Sequence, residues 1–370
     1  MVTSVTPAPT PPAAGVAITV TSTACGTGWR HPTAGLQTFQ IHNMSAMPVD
    51  VSLTNATTGG VYAEVEGIGP GTVRPLQIAV GSGQYAFACD GSDYGDLTGP
   101  TANVPGNVPD SEAVVPPTVT ATLAAVASEK AYVERGLATV ASQTAALAAD
   151  VDAGNLTAAR GAWMTAHLSY ERLGSAYGMF GNYDDEIDGT PDGLPGGVHD
   201  PSFTGFYRIE YGLWHGQPAA DLAGPAQQLS TVVRALRTAY PGMVPYPQAA
   251  LSDLALRTHE ILEHTIRFQL SGADDFGSGT TLATADANID ATRSQLGMLA
   301  PLLATRYPNL SAVQVWLGRL QRLVDARHTG NWTPVSKLTA SQREAIDSAA
   351  AQTVQLLAPI AVMFESSPLP

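Results

Sequence analysis

The chain has 370 residues, 44% hydrophobic and 14% charged, so it is long enough for two or three domains and too apolar to be disordered. Its 18 basic residues face 32 acidic ones, giving a formal net charge of -14. This balance argues against a nucleic-acid partner and favours a cation as ligand. No apolar run reaches the roughly 18 residues that span a bilayer, so we expect a soluble protein.

The N-terminus is rich in Pro, Thr and Ala and has no apolar stretch of the kind found in signal peptides. We expect residues 1–15 to form a flexible segment, with any export signal already removed.

Residues 16–104 are dense in Gly, Thr and Val and contain short alternating runs, such as 36–42 and 49–53. Alternation of this kind predicts half-buried strands. Glycine-containing turns separate the strands at 59–60, 69–71 and 81–83. The segment therefore predicts a small β-sandwich domain.

Cys25 and Cys89 are the two cysteines of the chain, and both fall within the predicted β-domain. We expect them to form a disulfide, which implies an oxidising, extracytoplasmic compartment. The alternative is that the protein is cytosolic and that the two cysteines are free, unreactive residues of the core.

Residues 105–117 are rich in proline and predict a linker. From residue 118 to 370, apolar residues recur at helical spacing, which predicts an all-α bundle, with two sub-bundles of four helices fitting the helix count. The predicted helices are 118–150, 155–181, 202–216, 224–240, 247–270, 283–306, 309–327 and 340–364.

The second predicted helix places Trp163, His167, Tyr170 and Glu171 on one face. His167 and Glu171 are then able to reach one metal ion. The alternative is a buried amphipathic face with a hydrogen-bonded histidine.

A long Gly- and Pro-rich connection follows between Gly181 and Phe203, with five Asp and one Glu. Long connections inside a compact bundle are usually functional. We expect Asp184, Asp185 and Glu186 to be solvated loop residues.

After this connection, Tyr207 and Glu210 stand one helical turn apart. The runs from Trp163 to Gly174, from Asp188 to Gly197 and from Phe203 to Gly216 resemble the imelysin-type EfeO proteins, the extracytoplasmic iron-binding components of the EfeUOB uptake system. Further similar runs are Glu66–Gly71 with Arg74, His259–Glu263, Ser278–Thr280 and Leu282–Thr284. The resemblance implies a cupredoxin-like β-sandwich followed by an imelysin-like helical domain.

The family's His-x-x-Glu motif is altered here, because its histidine falls at Tyr207. Three outcomes are open. Tyr207 ligates the metal as a phenolate, which suits Fe(III); His167 or His215 replaces the missing imidazole; or the site has lost its affinity.

The resemblance implies further ligands at Glu171, Asp188, Glu210 and a later helical acid, which we place at Glu263 with Glu260 as second choice. We expect His167 and Tyr207 to join them, with iron as Fe³⁺ or Fe²⁺ or another divalent metal bound. For Glu260 and Glu263 the alternative is a solvated helix face.

The resemblance further implies a binding protein, not an enzyme, that delivers iron to a membrane permease and works with a haem peroxidase partner. The alternative function is a cell-surface module for an acidic polysaccharide, bound through a divalent cation. No His-Glu-x-x-His metallopeptidase motif is present.

In the β-domain, no histidine follows Cys89 at the spacing of a blue-copper site. A weaker oxygen-rich metal site remains an alternative there, and otherwise its acidic residues are simply solvated: Glu64, Glu66, Asp93 and Asp96.

Overall fold

The computed structural model describes residues 15–91, 97–110, 113, 117–174, 179–244 and 246–364. The predicted flexible segment 1–15 lies outside these residues except for Gly15. The chain divides into two compact units, and the boundary falls between Pro117 and Thr118.

The first unit is built from two β-sheets. One sheet has the strand order β2-β1-β3-β6 and the other β5-β4-β7-β8, with β9 also pairing with β7. Strands β1 and β3 run parallel, whereas the other recorded pairs are antiparallel. The strands are β1 Val16–Thr21, β2 Ala24–Thr27, β3 Gly35–Asn43, β4 Val49–Asn55, β5 Val61–Ile68, β6 Val73–Val80, β7 Gly83–Gly91, β8 Leu97–Thr98 and β9 Ala102–Val104.

Alternating residues of both sheets form the apolar core of this unit, as the sequence predicts. Phe39 and Ile41 contribute from β3, and Leu53 and Phe87 from the opposite sheet; all four are buried. The predicted disulfide is confirmed: Cys25 on β2 is bonded to Cys89 on β7, with their Cα atoms 5.8 Å apart. It links the two sheets directly.

The first half of the predicted linker 105–117 packs on the β-unit. The backbone N–H of Ser82 donates to the carbonyl oxygen of Val108 at 2.9 Å. The carboxylate of Asp110 accepts hydrogen bonds from the hydroxyl groups of Tyr62 and Tyr85. These contacts show that linker residues up to Asp110 pack on the β-unit.

The second unit is helical, so the predicted fold class, a β-domain followed by a helical domain, is confirmed. Its described residues form nine α-helices and a π-helix, Thr265–Gln269. The helices are α1 Val119–Asp152, α2 Leu156–Glu171, α3 Asn182–Asp188, α4 Gly205–Trp214, α5 Ala219–Ala239, α6 Pro247–His264, α7 Thr281–Leu303, α8 Leu310–Asp325 and α9 Ala340–Met363.

The helices enclose two apolar cores, which matches the two predicted sub-bundles. Helices α2 to α5 pack around the C-terminal part of α1, and α6 to α9 pack with its N-terminal part. Helix α1, with 34 residues, therefore runs through both sub-bundles.

Two predicted helix boundaries need correction. The second helix ends at Glu171 rather than near residue 181, and Gly174 follows it with a φ of 80° that ordinary residues rarely adopt. The predicted structureless connection contains α3, whose last residue is Asp188. Both differences bear on the site, because they fix where Glu171 and Asp188 stand.

By length and composition, α9 is the one described helix that is apolar enough to cross a membrane. It packs as a core helix, with Ile346, Leu357 and Ile360 buried.

Candidate metal centre

The centre begins with the predicted face of α2. Trp163, His167, Tyr170 and Glu171 are all at most 2% exposed, so the whole face is buried. The indole N–H of Trp163 donates to the carbonyl oxygen of Phe206 at 2.8 Å, which fixes α2 against α4. The helical spacing therefore delivers an imidazole and a carboxylate into the interior.

Three ligand groups converge on this face. Nε2 of His167 lies 3.1 Å from Oε1 of Glu171 and 3.2 Å from Oδ1 of Asp188. One donor atom from each of these residues lies within 4.8 Å of the other two, an arrangement able to hold a single metal ion. Rings of Trp163 and Phe206 pack against the imidazole with centroids 5.0 Å away.

Asp188 reaches the centre because α3 and α4 meet closely. Gly205, the first residue of α4, has a φ of 77°. A Cβ atom there would stand 2.2 Å from the carbonyl oxygen of Ile187. Glycine therefore allows α4 to begin directly against the backbone that precedes Asp188.

Glu210 lies on the same helix and is 1% exposed. Its Oε1 accepts backbone N–H bonds from Phe276 at 3.2 Å and Ser278 at 3.0 Å. Its Oε2 is buried and has no hydrogen-bond partner among the described residues. Such an unsatisfied acceptor is costly unless an ion or water satisfies it.

Tyr207 is 2% exposed, and its ring centroid lies 5.3 Å from that of His167. Burial, reinforced by the negative charges of Asp188 and Asp274, raises the pKa of Tyr207 well above its usual value. The side chain is therefore a neutral phenol, and its hydroxyl group lies 3.5 Å from Oδ2 of Asp274.

Asp274 is a buried acid that the sequence prediction missed. It is 6% exposed and belongs to the loop between the π-helix and α7. Burial and the nearby charge of Glu171 raise its pKa to about 7. The run Ser278–Thr280, which resembles the EfeO proteins, begins four residues later and could have pointed to this loop. The sequence prediction instead placed the later acid on α6, at Glu263.

Electrostatics favour a cation at this place. Burial alone disfavours the imidazolium, but hydrogen bonds to Asp188 and Glu171 outweigh it and raise the pKa of His167 to about 10. Burial and the charge of Glu171 raise the pKa of Asp188, and burial raises that of Glu210 to about 7. Two carboxylates therefore contact one imidazole, and Glu210 and Asp274 lie outside this group of three but interact electrostatically with His167. A cluster of acidic groups of this kind favours a metal ion.

Glu263 and Glu260 are placed differently from the other predicted ligands. The side chain of Glu263 is 53% exposed, and its carboxylate lies 3.8 Å from Nε2 of His259. Glu260 is half-buried on the same helix, and burial raises its pKa. The structure does not bring Glu263 into the group formed by His167, Glu171 and Asp188.

The other residues considered from sequence are also placed. His215 is exposed, with Nδ1 2.8 Å from the carbonyl oxygen of Tyr211, whereas His167 is buried and contacts Glu171 and Asp188. Asp184 is not a solvated loop residue, because it accepts hydrogen bonds from the Tyr170 hydroxyl and the Phe180 N–H. Asp185 and Glu186 are exposed, as predicted.

In the β-unit, Glu64 is half-buried and accepts a hydrogen bond from Ser52, while Glu66 is exposed. Asp93 and Asp96 lie outside the described residues.

Comparison with known proteins identifies the class to which this fold and centre belong. The imelysin family's sequence profile matches residues 125–360. The chain is 28% identical to the iron uptake system component EfeO of Yersinia pestis, over 78% of this chain and 74% of that protein. It is 26% identical to the protein of the same description from Escherichia coli K12, over 80% of this chain and 76% of that protein.

The chain therefore belongs to the imelysin family, as an EfeO-like member.

Proposed function

We propose that this protein is an extracytoplasmic binding protein that captures iron and passes it to a membrane permease. The observation that carries the proposal is the buried group of His167, Glu171 and Asp188. The iron uptake role of the EfeO relatives supports the choice of metal.

The donor set suits iron in either oxidation state. Carboxylate oxygens are hard ligands that favour Fe(III), and an imidazole nitrogen also suits Fe(II). His167 then supplies the imidazole that the altered His-x-x-Glu motif lacks, from the neighbouring helix. Because the ligands must lose their protons to bind, the affinity depends on pH.

An acidic cleft lies beside the segment that carries Asp188. The cleft has a volume of about 600 Å³, and Glu186 and Gly189, on either side of Asp188, both line it. Asp185 and Asp192 add further negative charge to its wall. Such a surface concentrates cations at its mouth.

Delivery of iron to a permease and cooperation with a haem peroxidase are part of the proposal. The disulfide between Cys25 and Cys89 supports an oxidising compartment, where such partners would be met. No dedicated catalytic arrangement is needed for this role, since capture and release are ligand exchange.

The test is titration of chelator-treated protein with Fe(III), Fe(II), Mn(II), Zn(II), Cu(II) and Ca(II). We expect one tight iron site. Loss of a residue that hydrogen-bonds to a metal ligand typically lowers affinity by about 10- to 100-fold, and loss of a ligand itself costs at least as much. His167→Ala and Glu171→Gln should therefore each lower iron affinity by at least that amount. His215→Ala is the matched control and should bind like the wild type.

Equal iron affinity in all three variants would contradict this site. If no ion binds tightly but calcium promotes binding to an acidic polysaccharide, the surface-module function becomes the better account.

A further inference from the structure

We propose that Asp274 is a further ligand of the metal centre, and that Tyr207 and Gln269 are positioning residues that hold its carboxylate. This inference rests on the proposed metal-binding function and goes beyond it, because Asp274 replaces Glu263 in the predicted ligand set and Tyr207 leaves that set.

Asp274 lies in surroundings that favour a bound cation. The side chain is buried, yet none of the basic groups in the described part of the chain lies within 4 Å of its carboxylate. The charge of His167 acts on Asp274 only from a distance, because its imidazole already contacts Glu171 and Asp188. A buried carboxylate without a positive group in direct contact is costly, and a bound cation would supply that contact.

Two neighbouring side chains hold the carboxylate of Asp274 through one of its oxygens. Nε2 of Gln269 donates to Oδ2 of Asp274 at 3.0 Å, and the Tyr207 hydroxyl approaches the same oxygen at 3.5 Å. Both contacts use Oδ2, so neither occupies the lone pairs of Oδ1. Metal-binding carboxylates are commonly oriented by hydrogen bonds of this kind.

A third, independent observation points to a ligand at this place. Oε1 of Gln269 and Oε2 of Glu210 are both buried acceptors with no hydrogen-bond partner in the described ranges. Gln269 is 0% exposed and Glu210 is 1% exposed. Unsatisfied acceptors at this depth are rare and indicate a donor or an ion that the protein itself does not supply.

Tyr207 connects this region with the group on α2. Its ring packs against His167, and its hydroxyl group points at Asp274, so it lies between the two. The hydroxyl oxygen lies 3.5 Å from Oδ2 of Asp274, the oxygen that also accepts from Gln269. The geometry therefore favours a hydrogen-bond donor over a phenolate ligand.

The local backbone explains how these residues are presented. Gln269 ends the π-helix that follows α6, and helices of this type are frequent at functional sites. The loop beyond it carries Asp274 and also the two N–H groups, from Phe276 and Ser278, that bind Glu210. One loop thus supplies a carboxylate and orients another.

The experiment measures metal affinity and visible spectra of the full-length protein, using Fe(III) and Co(II) as probes. The variants are Asp274→Asn, Tyr207→Phe and Gln269→Leu, and Glu263→Gln is the matched control. We expect Asp274→Asn to lower affinity by about 100-fold or more and the two positioning variants by about 10- to 100-fold, with Glu263→Gln unchanged.

The spectra distinguish positioning from ligation. We expect the Fe(III) complex to lack a phenolate-to-iron charge-transfer band, and the Co(II) bands to shift in both Tyr207→Phe and Gln269→Leu. A charge-transfer band that disappears in Tyr207→Phe would overturn the inference, as would unchanged affinity in Asp274→Asn. Wild-type affinity in His167→Ala would instead contradict the proposed function itself.

Discussion

His167 is the residue on which the chemistry of the centre depends most, because its Nε2 contacts both Glu171 and Asp188. Without a metal ion, this nitrogen holds a proton between two carboxylates. Binding of a metal ion at Nε2 must displace that proton. The same contacts that keep the metal-free centre folded therefore make metal binding sensitive to pH.

We predict that iron affinity falls as the pH is lowered through about 7, because Glu210 and Asp274, with pKa values of about 7, then take up protons that compete with the metal. Chelator-competition titrations over a pH series measure this. A flat profile would contradict the role of these carboxylates.

Stability should show the opposite pH trend in the metal-free protein. The pKa values of Glu210 and Asp274 are raised in the folded state, so their contribution is fully present below about pH 4 and is lost as the pH rises through about 7. We therefore expect a metal ion to raise the thermal midpoint more at about pH 8 than at about pH 5.5. Scanning calorimetry with and without metal checks this.

At the residue scale, the sequence predicts contacts within one helix better than contacts between distant segments. The pairing of His167 with Glu171 follows from a spacing of four residues. The contact between Tyr207 and Asp274 joins residues 67 positions apart, and only the folded chain brings them together. For the same reason, the sequence could not show that Glu263, which has a suitable carboxylate, is half-exposed in the folded chain.

At the scale of elements, the junction of α3 and α4 places Asp188 beside the helix that carries Glu210. We predict that Gly205→Ala destabilises the protein by more than about 1–2 kcal/mol, the usual cost of a positive φ, because the added Cβ also meets the Ile187 carbonyl oxygen. Metal affinity should fall as well, since Asp188 would be displaced.

Gly216→Ala is the matched control for this prediction. Gly216 follows the same helix with a φ of 71°, but no atom lies within 4 Å of the position that an added Cβ would take. Its substitution should cost only the backbone strain and leave metal affinity unchanged. Denaturant unfolding and metal titration of both variants make the comparison, and equal effects would contradict the packing argument.

Element types were predictable where hydrophobic periodicity was long, as in α1 and α7, since a repeated apolar stripe is a strong helix signal. Helix α3 was not predictable in this way, because its seven residues include four acids and one apolar core residue, Ile187. The π-helix at Thr265–Gln269 was also missed, because it continues the helical pattern of α6 without a break.

At the scale of the whole molecule, the change from strands to helices was visible in composition, and it separates two units with different means of stabilisation. The β-unit is cross-linked between its sheets by a disulfide, whereas the helical unit has two apolar cores. All the proposed ligands lie in the helical unit.

We predict that replacing Cys25 and Cys89 by serine destabilises the β-unit by about 2–5 kcal/mol, because the cross-link restricts the unfolded chain. Iron affinity should stay at the wild-type value. Thermal unfolding followed by circular dichroism, together with metal titration, measures both. Loss of iron binding in this variant would show that the metal site is not confined to the helical unit.

The most direct test of the central claim is anomalous diffraction at the iron absorption edge from crystals of the iron-loaded protein. We predict one strong peak in the helical unit, within coordination distance of His167, Glu171 and Asp188. A principal peak at Glu260 and Glu263, or in the β-unit, would contradict it.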